Sequence, residues 1–189
     1  WILTRPAVVH VAVPFGAARL RQVPGVRTHY LADWSGGSRT EVSVHHALVR
    51  LMLGHPADVA VPCIDWLLRS ARADLIDVER CVLELPDRGR RIMRLVDRES
   101  QSVLESVARV RLIQAGFRVE SQRRTGELGA SDLVIEGEVA LELDGREFHE
   151  HAFERDRRRD LVTTLEGKHV IRVSRRMLRE RWPSIEDAI

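Results

Sequence analysis

The segment ASDLVIEGEVALELDGREFHEHAFERDRRRD, residues 130–160, decides how the fold of this chain is interpreted. Its first half contains two apolar runs separated by Glu-Gly-Glu at 136–138, a pattern that predicts an antiparallel hairpin. Side chains alternate along a strand, so Glu142 and Asp144 are expected on one face. Asp132 opens the preceding strand, and pairing across the hairpin would bring it close to them. The sequence therefore predicts a cluster of three carboxylates at the end of a hairpin.

Such a cluster suggests a hard-metal site, because like charges at close range raise one another's pKa unless a cation intervenes. Arg155, Arg158 or Arg159 can supply that positive charge instead, and this alternative stays open. These arginines belong to a predicted helix over 151–166, whose charges are also consistent with a plain solvent-exposed face. His149 follows the cluster and can accept a proton from an attacking water, unless it is simply exposed.

The rest of the chain alternates between short β-rich runs and helical stripes. Residues 101–115 predict an amphipathic helix ended by Gly116. On this helix Glu105 is placed to pair with Arg109 one turn later. Further strands are predicted at 7–13, 26–31, 117–121 and 169–174. Further helices are predicted to start near Thr40, to span 57–70, 75–85 and 90–98, and to start at Arg175. A break is expected at 86–89 and a loop at 122–129.

Composition limits the possible functions only loosely. The formal net charge is +2, which argues weakly for a nucleic-acid partner, and Lys168 is the only lysine among 30 basic residues. Arginine suits phosphate contact, although a GC-rich genome also favours arginine codons. Cys63 and Cys81 match no zinc spacing and are expected to be buried thiols in a reducing cytoplasm. No apolar run reaches the roughly 20 residues that span a bilayer. Since the chain begins with Trp1, it is expected to be part of a longer protein.

The acidic hairpin and the motifs on either side of it resemble the very-short-patch-repair (Vsr-like) endonucleases. They resemble more closely an uncharacterised bacterial domain family related to these enzymes, and both belong to the PD-(D/E)XK nuclease superfamily. The resemblance covers about residues 99–181. The matching residues are S-x-x-E-S at 102–106, A-G-F at 115–117, Asp132, E-x-D-G-x-x-x-H at 142–149, R-D-x-x-R-D at 155–160, Gly167 and V-I-R-V-S at 170–174.

The resemblance implies an α/β fold with a PD-(D/E)XK restriction-endonuclease-like core, in which a mixed central sheet is flanked by helices in the order α-β-β-β-α-β-α. That core would occupy residues 99–189. Residues 1–98 would be a smaller strand-plus-helical connector, truncated upstream of it. Relatives carry an upstream winged-helix segment like those of type IV antitoxins, so a DNA-binding module is expected before Trp1.

The resemblance also implies a Mg²⁺- or Mn²⁺-dependent DNA endonuclease or nickase in the bacterial cytoplasm. Asp132 and Glu142 would ligate the metal, with the carbonyl of Leu143 as a third ligand. Glu105 would complete the site from its helix, and His149 would act as general base or orient the water. The residues implied to contact nucleic acid are Arg123, Arg124, Arg155, Arg158 and Arg159.

Two departures from the family pattern affect this expectation. Asp144 stands where superfamily members often have a lysine that positions the nucleophile, which makes a catalytically inactive DNA-binding or antitoxin-like regulator the alternative. The Cys and His set of the structural zinc in Vsr enzymes is also missing, so no structural zinc is expected. RNA as a substrate and a homodimer both stay open, and no membrane partner is expected.

Overall fold

The computed structural model describes residues 7–32, 37–124, 130–144 and 167–189. It is a mixed α/β structure with two sheets, as expected for the broad fold class. The strands are β1 (Val9–Pro14), β2 (Val26–Leu31), β3 (Val119–Arg124), β4 (Ala130–Ile135), β5 (Val139–Asp144) and β6 (His169–Ser174). The helices are α1 (Val44–Gly54), α2 (Ala57–Arg69), α3 (Leu75–Glu84), α4 (Pro86–Met93), α5 (Val103–Ala115), α6 (Arg175–Glu180) and α7 (Trp182–Asp187).

The larger sheet has the strand order β3-β4-β5-β6. The first two pairings are antiparallel, and β5 pairs with β6 in parallel. Its mixed character agrees with the predicted core, and so does the order of its described elements. The helix predicted over 151–166 lies outside the described residues, so the specific PD-(D/E)XK core stays a prediction.

Helix α5 is buried on nearly all sides and joins two apolar clusters. Leu104, Val107 and Leu112 pack with the larger sheet and with the C-terminal helices. Val110 packs with the helices of the N-terminal half. The prediction of an amphipathic helix was therefore too simple, because buried residues run without interruption from Leu104 to Val110 and include charged side chains. The division into 1–98 and 99–189 stays a prediction, and α5 packs against both parts.

Both ends of α5 follow local rules. The Ser102 hydroxyl accepts the backbone N–H of Glu105 at 3.2 Å, which satisfies one of the free amides of the first turn. Gly116 ends the helix with φ +99°, a left-handed conformation that costs a side-chain-bearing residue about 1–2 kcal/mol. The predicted cap at Gly116 is confirmed.

Gly116→Ala is expected to lower the free energy of unfolding by about 1–2 kcal/mol through this backbone strain. No atom lies within 4 Å of an added Cβ there, so a steric clash would not contribute. Gly54→Ala is the matched control, because its surroundings are equally open and its φ is not positive. The control should be neutral or stabilising by up to about 1 kcal/mol. Urea denaturation measures both variants, and equal effects would contradict the strain argument.

Several predicted boundaries were wrong. Helix α1 is capped by Ser43, whose hydroxyl accepts the backbone N–H of His46, and not by Thr40. The predicted start of α2 at Ala57 is, in contrast, confirmed, and Pro62 lies inside this helix. The expected break at 86–89 is the start of α4, because proline fits the first turn, where its missing N–H has no helical partner to lose.

The remaining differences are near the larger sheet and at the C-terminus. Strand β3 continues to Arg124, although a loop was expected from residue 122. The C-terminal helix is divided into α6 and α7, with Pro183 in the first turn of the second. Among the described residues, no helix has the length and apolarity needed to cross a membrane.

Candidate active site

The predicted hairpin is present. Strands β4 and β5 pair with Ile135 opposite Val139 and with Leu133 opposite Leu141. The turn at 136–138 is closed by a hydrogen bond from the Glu138 N–H to the Ile135 carbonyl at 3.0 Å. Gly137 has φ +80°, which glycine adopts without a steric penalty. The hairpin therefore fixes which residues of β4 and β5 face each other.

Continued past Leu133 and Leu141, this register places Asp132 opposite Glu142 on one face of the sheet. The Asp132 carboxylate accepts the backbone N–H of Leu143 at 2.7 Å. That contact fixes its orientation at the point where regular pairing stops. The contact places the Asp132 carboxylate beside the backbone of the residue after Glu142, and the proximity of the two carboxylates stays a prediction.

Glu142 and Asp144 share this face but lie in different environments. Glu142 is 4% exposed and pairs across the parallel ladder with Arg172 of β6. Asp144 is exposed and pairs in register with Ser174. A buried carboxylate and an exposed one thus lie two residues apart on β5, so water solvates Asp144 but is largely excluded from Glu142.

Glu105 is buried on α5, where its carboxylate has two partners. It accepts the backbone N–H of Gln101 at 2.9 Å and the side-chain amide of Gln122 at 2.7 Å. Gln122 has φ +47° within β3, and the register places it beside Asp132. Glu105 is thus connected to the strand next to Asp132 through Gln122, and no described contact joins it to the hairpin carboxylates directly.

The alternative pairing of Glu105 with Arg109 is wrong. Arg109 donates from Nη2 to Asp65 of α2 at 2.9 Å and from Nη1 to the carbonyl of Leu95. Asp65 also accepts the Ser106 hydroxyl at 2.7 Å. Helical spacing permits an i,i+4 pair, but the buried carboxylate on α2 satisfies this guanidinium instead. Asp65 was not predicted, because its partners lie about forty residues away in sequence.

Four of the predicted site residues, His149, Arg155, Arg158 and Arg159, lie outside the described residues. Their roles therefore stay predictions. Arg123 and Arg124 are the last residues of β3, where their backbones pair with Ser131 and Ala130 of β4, rather than residues of a loop. The sheet thus brings their positions to the end of β4 from which Asp132 extends.

Within the described residues, no group of three or more His, Cys, Asp or Glu side chains is arranged to hold a metal ion. Asp132 and Glu142 nevertheless fit a divalent ion chemically, since Mg²⁺ is commonly bound through one or two carboxylates with water and substrate phosphate completing the shell. The two carboxylates on one face are therefore compatible with Mg²⁺, whereas the implied third ligand at the Leu143 carbonyl stays a prediction.

A second group of reactive side chains lies between α1 and α3. His45 approaches the Cys81 sulfur with Nδ1 at 3.4 Å and the Glu84 carboxylate with Nε2 at 2.5 Å. This order of thiol, imidazole and carboxylate resembles a nucleophile with its base. Cys81, however, is fully buried, and burial, followed by Glu84 and Asp77, raises its pKa to about 11. A thiol held neutral and shielded from solvent is a poor nucleophile.

Cys81 is accordingly expected to resist thiol reagents in the folded protein and to react only after unfolding. The Cys63→Ser variant isolates it, because Cys63 is the other cysteine of the chain. Reaction of Cys81 with a chromogenic disulfide reagent should be negligible without denaturant. In guanidinium it should reach one thiol per protein molecule. Cys81→Ser, which leaves the half-buried Cys63, is the comparison. Fast labelling of native Cys81 would show that this thiol is accessible and activated.

The fold and the hairpin define an α/β protein with carboxylates on the two central strands of its larger sheet. No family model, curated protein or solved structure matches the chain. The proposed activity is therefore argued from the Vsr-like sequence pattern and from the geometry of the described residues.

Proposed function

We propose that the protein is a metal-dependent endonuclease or nickase that hydrolyses phosphodiester bonds in DNA. The observation that supports this most directly is the hydrogen bond at 2.7 Å from the Leu143 N–H to the Asp132 carboxylate, which holds Asp132 against β5 next to Glu142. Two carboxylates in this arrangement repel each other unless a cation lies near them. A divalent ion both relieves the repulsion and supplies the Lewis acidity that phosphodiester hydrolysis requires.

The contacts of Asp132 support a positioning role in such a site. Its hydrogen bond to the Leu143 N–H fixes the carboxylate and ties the end of β4 to β5. Arg172 lies beside Glu142 in the register and provides a positive charge at the inner side of the site. A positive charge next to a carboxylate favours its ionised form, which is the form that binds a metal ion.

The remaining roles follow from the family pattern. We assign His149 to accepting a proton from, or orienting, the attacking water, and Arg155, Arg158 and Arg159 to binding the DNA phosphates. We assign the same role to Arg123 and Arg124, whose backbones end β3. Glu105 acts indirectly, because its contact with Gln122 supports the strand next to Asp132. A direct or water-mediated contact of Glu105 with the metal stays a prediction of the family pattern.

Supercoiled plasmid tests the proposal. The protein should convert it to the nicked or linear form with Mg²⁺ or Mn²⁺ and not with EDTA. Glu142→Gln should abolish the conversion, whereas Glu136→Gln, which alters an exposed carboxylate in the hairpin turn, should retain it. Activity that persists in Glu142→Gln, or that is absent from the unaltered protein under every metal condition, counts against an endonuclease.

A second function is favoured by Asp144, an exposed carboxylate at the position where nucleases of the PD-(D/E)XK superfamily often have a lysine. A catalytically inactive regulator of the antitoxin type would bind DNA through its arginines without cutting it. Its binding should weaken steeply with salt, because each phosphate contact releases counterions. Calorimetric titration with Mg²⁺ separates the two functions, since a regulator should show no metal binding that depends on Asp132.

A further inference from the structure

A cavity of about 230 Å³ lies between the small β1–β2 sheet and α1, far in sequence from the hairpin carboxylates. Its walls include an unusual concentration of basic side chains. These are His10, Arg27, His29, His46, Arg50 and His55. Leu31 and Leu51 contribute apolar surface to the same cavity. Ligand sites commonly combine an apolar body with a few convergent polar groups, and this cavity has that composition.

The strand register explains why these groups converge. β1 and β2 pair in parallel, with His10 opposite Arg27 and Ala12 opposite His29. Alternate residues of a strand share a face, so Arg27, His29 and Leu31 are directed to the same side. His29 Nε2 and His10 Nδ1 are 2.9 Å apart, and their rings stack. One face of a two-stranded sheet therefore presents an arginine and a pair of hydrogen-bonded imidazoles.

Helix α1 supplies the opposite wall. His46, Arg50 and His55 lie along one side of the helix or just after it, in steps of four and five residues. Arg50 is held in place by a hydrogen bond from Nη2 to the carbonyl of Tyr30 at 2.6 Å.

The electrostatic balance of the cavity is one-sided. Every described charged or titratable residue that lines it is basic, and within the described residues neither Arg27 nor Arg50 forms an ion pair. The pKa of His29 is lowered by burial first, and then by His10, Arg50, Arg27 and His55. A cation is disfavoured here, because Arg27 and Arg50 line the cavity beside the imidazoles and repel positive charge. The chemistry that complements this cavity is an anion.

We propose that this cavity binds a phosphate monoester with a small organic body, in a site separate from the hairpin carboxylates. Arg27 and Arg50 hold the dianion, since guanidinium groups match the geometry of phosphate oxygens. The His10–His29 pair donates further hydrogen bonds, and Leu31 and Leu51 contact the organic body. The cavity volume is too small for a nucleic-acid duplex and is suited to a single small molecule. This site does not depend on the proposed endonuclease activity.

Phenyl phosphate is a suitable probe, because it joins a phosphate dianion to a small flat apolar body. Isothermal titration calorimetry should show saturable binding to the unaltered protein. Inorganic phosphate should bind more weakly, since it lacks the body, and phenol should not bind measurably. Arg27→Gln should weaken phenyl phosphate binding by about tenfold or more, the usual consequence of losing a charged hydrogen bond.

The control variant is Arg118→Gln, which alters an exposed arginine paired with Glu136 in the other half of the chain. It should bind phenyl phosphate as the unaltered protein does. Arg50→Lys provides a second variant, which keeps the charge and loses the planar fork, and it should also bind more weakly. Thermal melting establishes that each variant is folded, and phenyl phosphate should raise the melting temperature of the unaltered protein and of Arg118→Gln.

The ring proton resonances of His29 give a readout that a general salt effect would not reproduce. A bound dianion opposes the combined repulsion from His10, His46, His55, Arg27 and Arg50, so the pKa of His29 should rise on addition of phenyl phosphate and stay unchanged on addition of phenol. Equal binding by Arg27→Gln and the unaltered protein overturns the proposal. So does equal binding of phenol and phenyl phosphate, which would identify the cavity as an apolar site only.

Discussion

Asp65→Ala is expected to lower the free energy of unfolding by about 3–5 kcal/mol, the usual cost of removing one partner of a buried ion pair. The Asp65 side chain is fully buried, and that of Arg109 is 5% exposed. Without Asp65, the Arg109 guanidinium keeps the Leu95 carbonyl and, at 3.7 Å, Asp97. The Ser106 hydroxyl also loses its acceptor. The substitution therefore leaves a buried positive charge with too few partners.

The matched control is Asp58→Ala, which breaks a pair of the same types between the same two helices. Asp58 and Arg111 approach to 2.9 Å, but their side chains are 21% and 24% exposed. Water can solvate the remaining arginine, so this loss should be about 1 kcal/mol. Urea denaturation measures both variants, with the same dependence of the free energy of unfolding on urea concentration assumed for each. A loss at Asp65 no greater than that at Asp58 would show that burial does not set the strength of this contact.

Asp65 should also make stability depend on pH. Burial raises its pKa to about 6, against the opposing effects of the Asp97 N–H, Arg109 and Ser106. The unfolded chain releases this proton near 3.8, so between these two pH values the folded state binds more protons. The contribution of Asp65 to stability is thus largest below pH 4 and falls by up to about 3 kcal/mol as the pH rises through 6. Asp65→Asn removes this titration. The difference in free energy of unfolding between this variant and the unaltered protein should therefore change between about pH 4 and pH 6.

The hairpin could be predicted because all of its determinants are local. Alternation of apolar residues and a Glu-Gly-Glu turn specify both strands and their register, which pairs Leu133 with Leu141 and Ile135 with Val139. The Gly116 cap is local in the same sense, since one glycine in the left-handed conformation ends the helix. Such features depend on residues a few positions apart, which the sequence displays directly.

The partner of Arg109 could not be predicted in that way. Helical spacing suggested Glu105, because contacts within a helix are visible in the sequence whereas contacts between helices are not. Burial of α5 between two clusters decided the outcome, since a buried guanidinium requires a carboxylate and Asp65 supplies it from α2. Glu105, placed at the sheet side, pairs with Gln122 instead. A charged residue within an otherwise apolar helical stripe, as Asp65 is in α2, was the available signal.

The basic cavity was missed for a related reason. His10, Arg27 and His29 look like ordinary exposed positions of two short strands, and nothing in their spacing shows that the strands are adjacent and parallel. The alternation of His10 with Ala12 and of Arg27 with His29 was a visible pattern. This pattern indicates a cavity only when it is known that α1 packs across the same face of the two strands.

Asp132→Asn separates the structural role of this side chain from its proposed chemical role. The asparagine carbonyl oxygen can still accept the Leu143 N–H, which the Asp132 carboxylate binds at 2.7 Å, so the end of the hairpin should hold. The negative charge that would attract Mg²⁺ is lost. We therefore expect a free energy of unfolding within about 1 kcal/mol of the unaltered protein, because one hydrogen bond of this kind contributes about that much. Metal-dependent nicking should fall by about a hundredfold or more, because the metal contributes several kcal/mol of transition-state stabilisation.

Asp132→Ala completes the comparison, since it removes the hydrogen bond as well as the charge. If Asp132 ligates the metal, both variants lose nicking and only the alanine variant loses stability. If it serves only to tie β4 to β5, the asparagine variant should keep both properties. Asp144→Asn extends the test to the position where nucleases of the PD-(D/E)XK superfamily often have a lysine. Asp144 is exposed, so its loss should leave stability unchanged, and any loss of nicking then reports a direct part in the reaction. Plasmid nicking rates and urea denaturation of the three variants distinguish these cases, because charge, hydrogen bonding and position are changed one at a time.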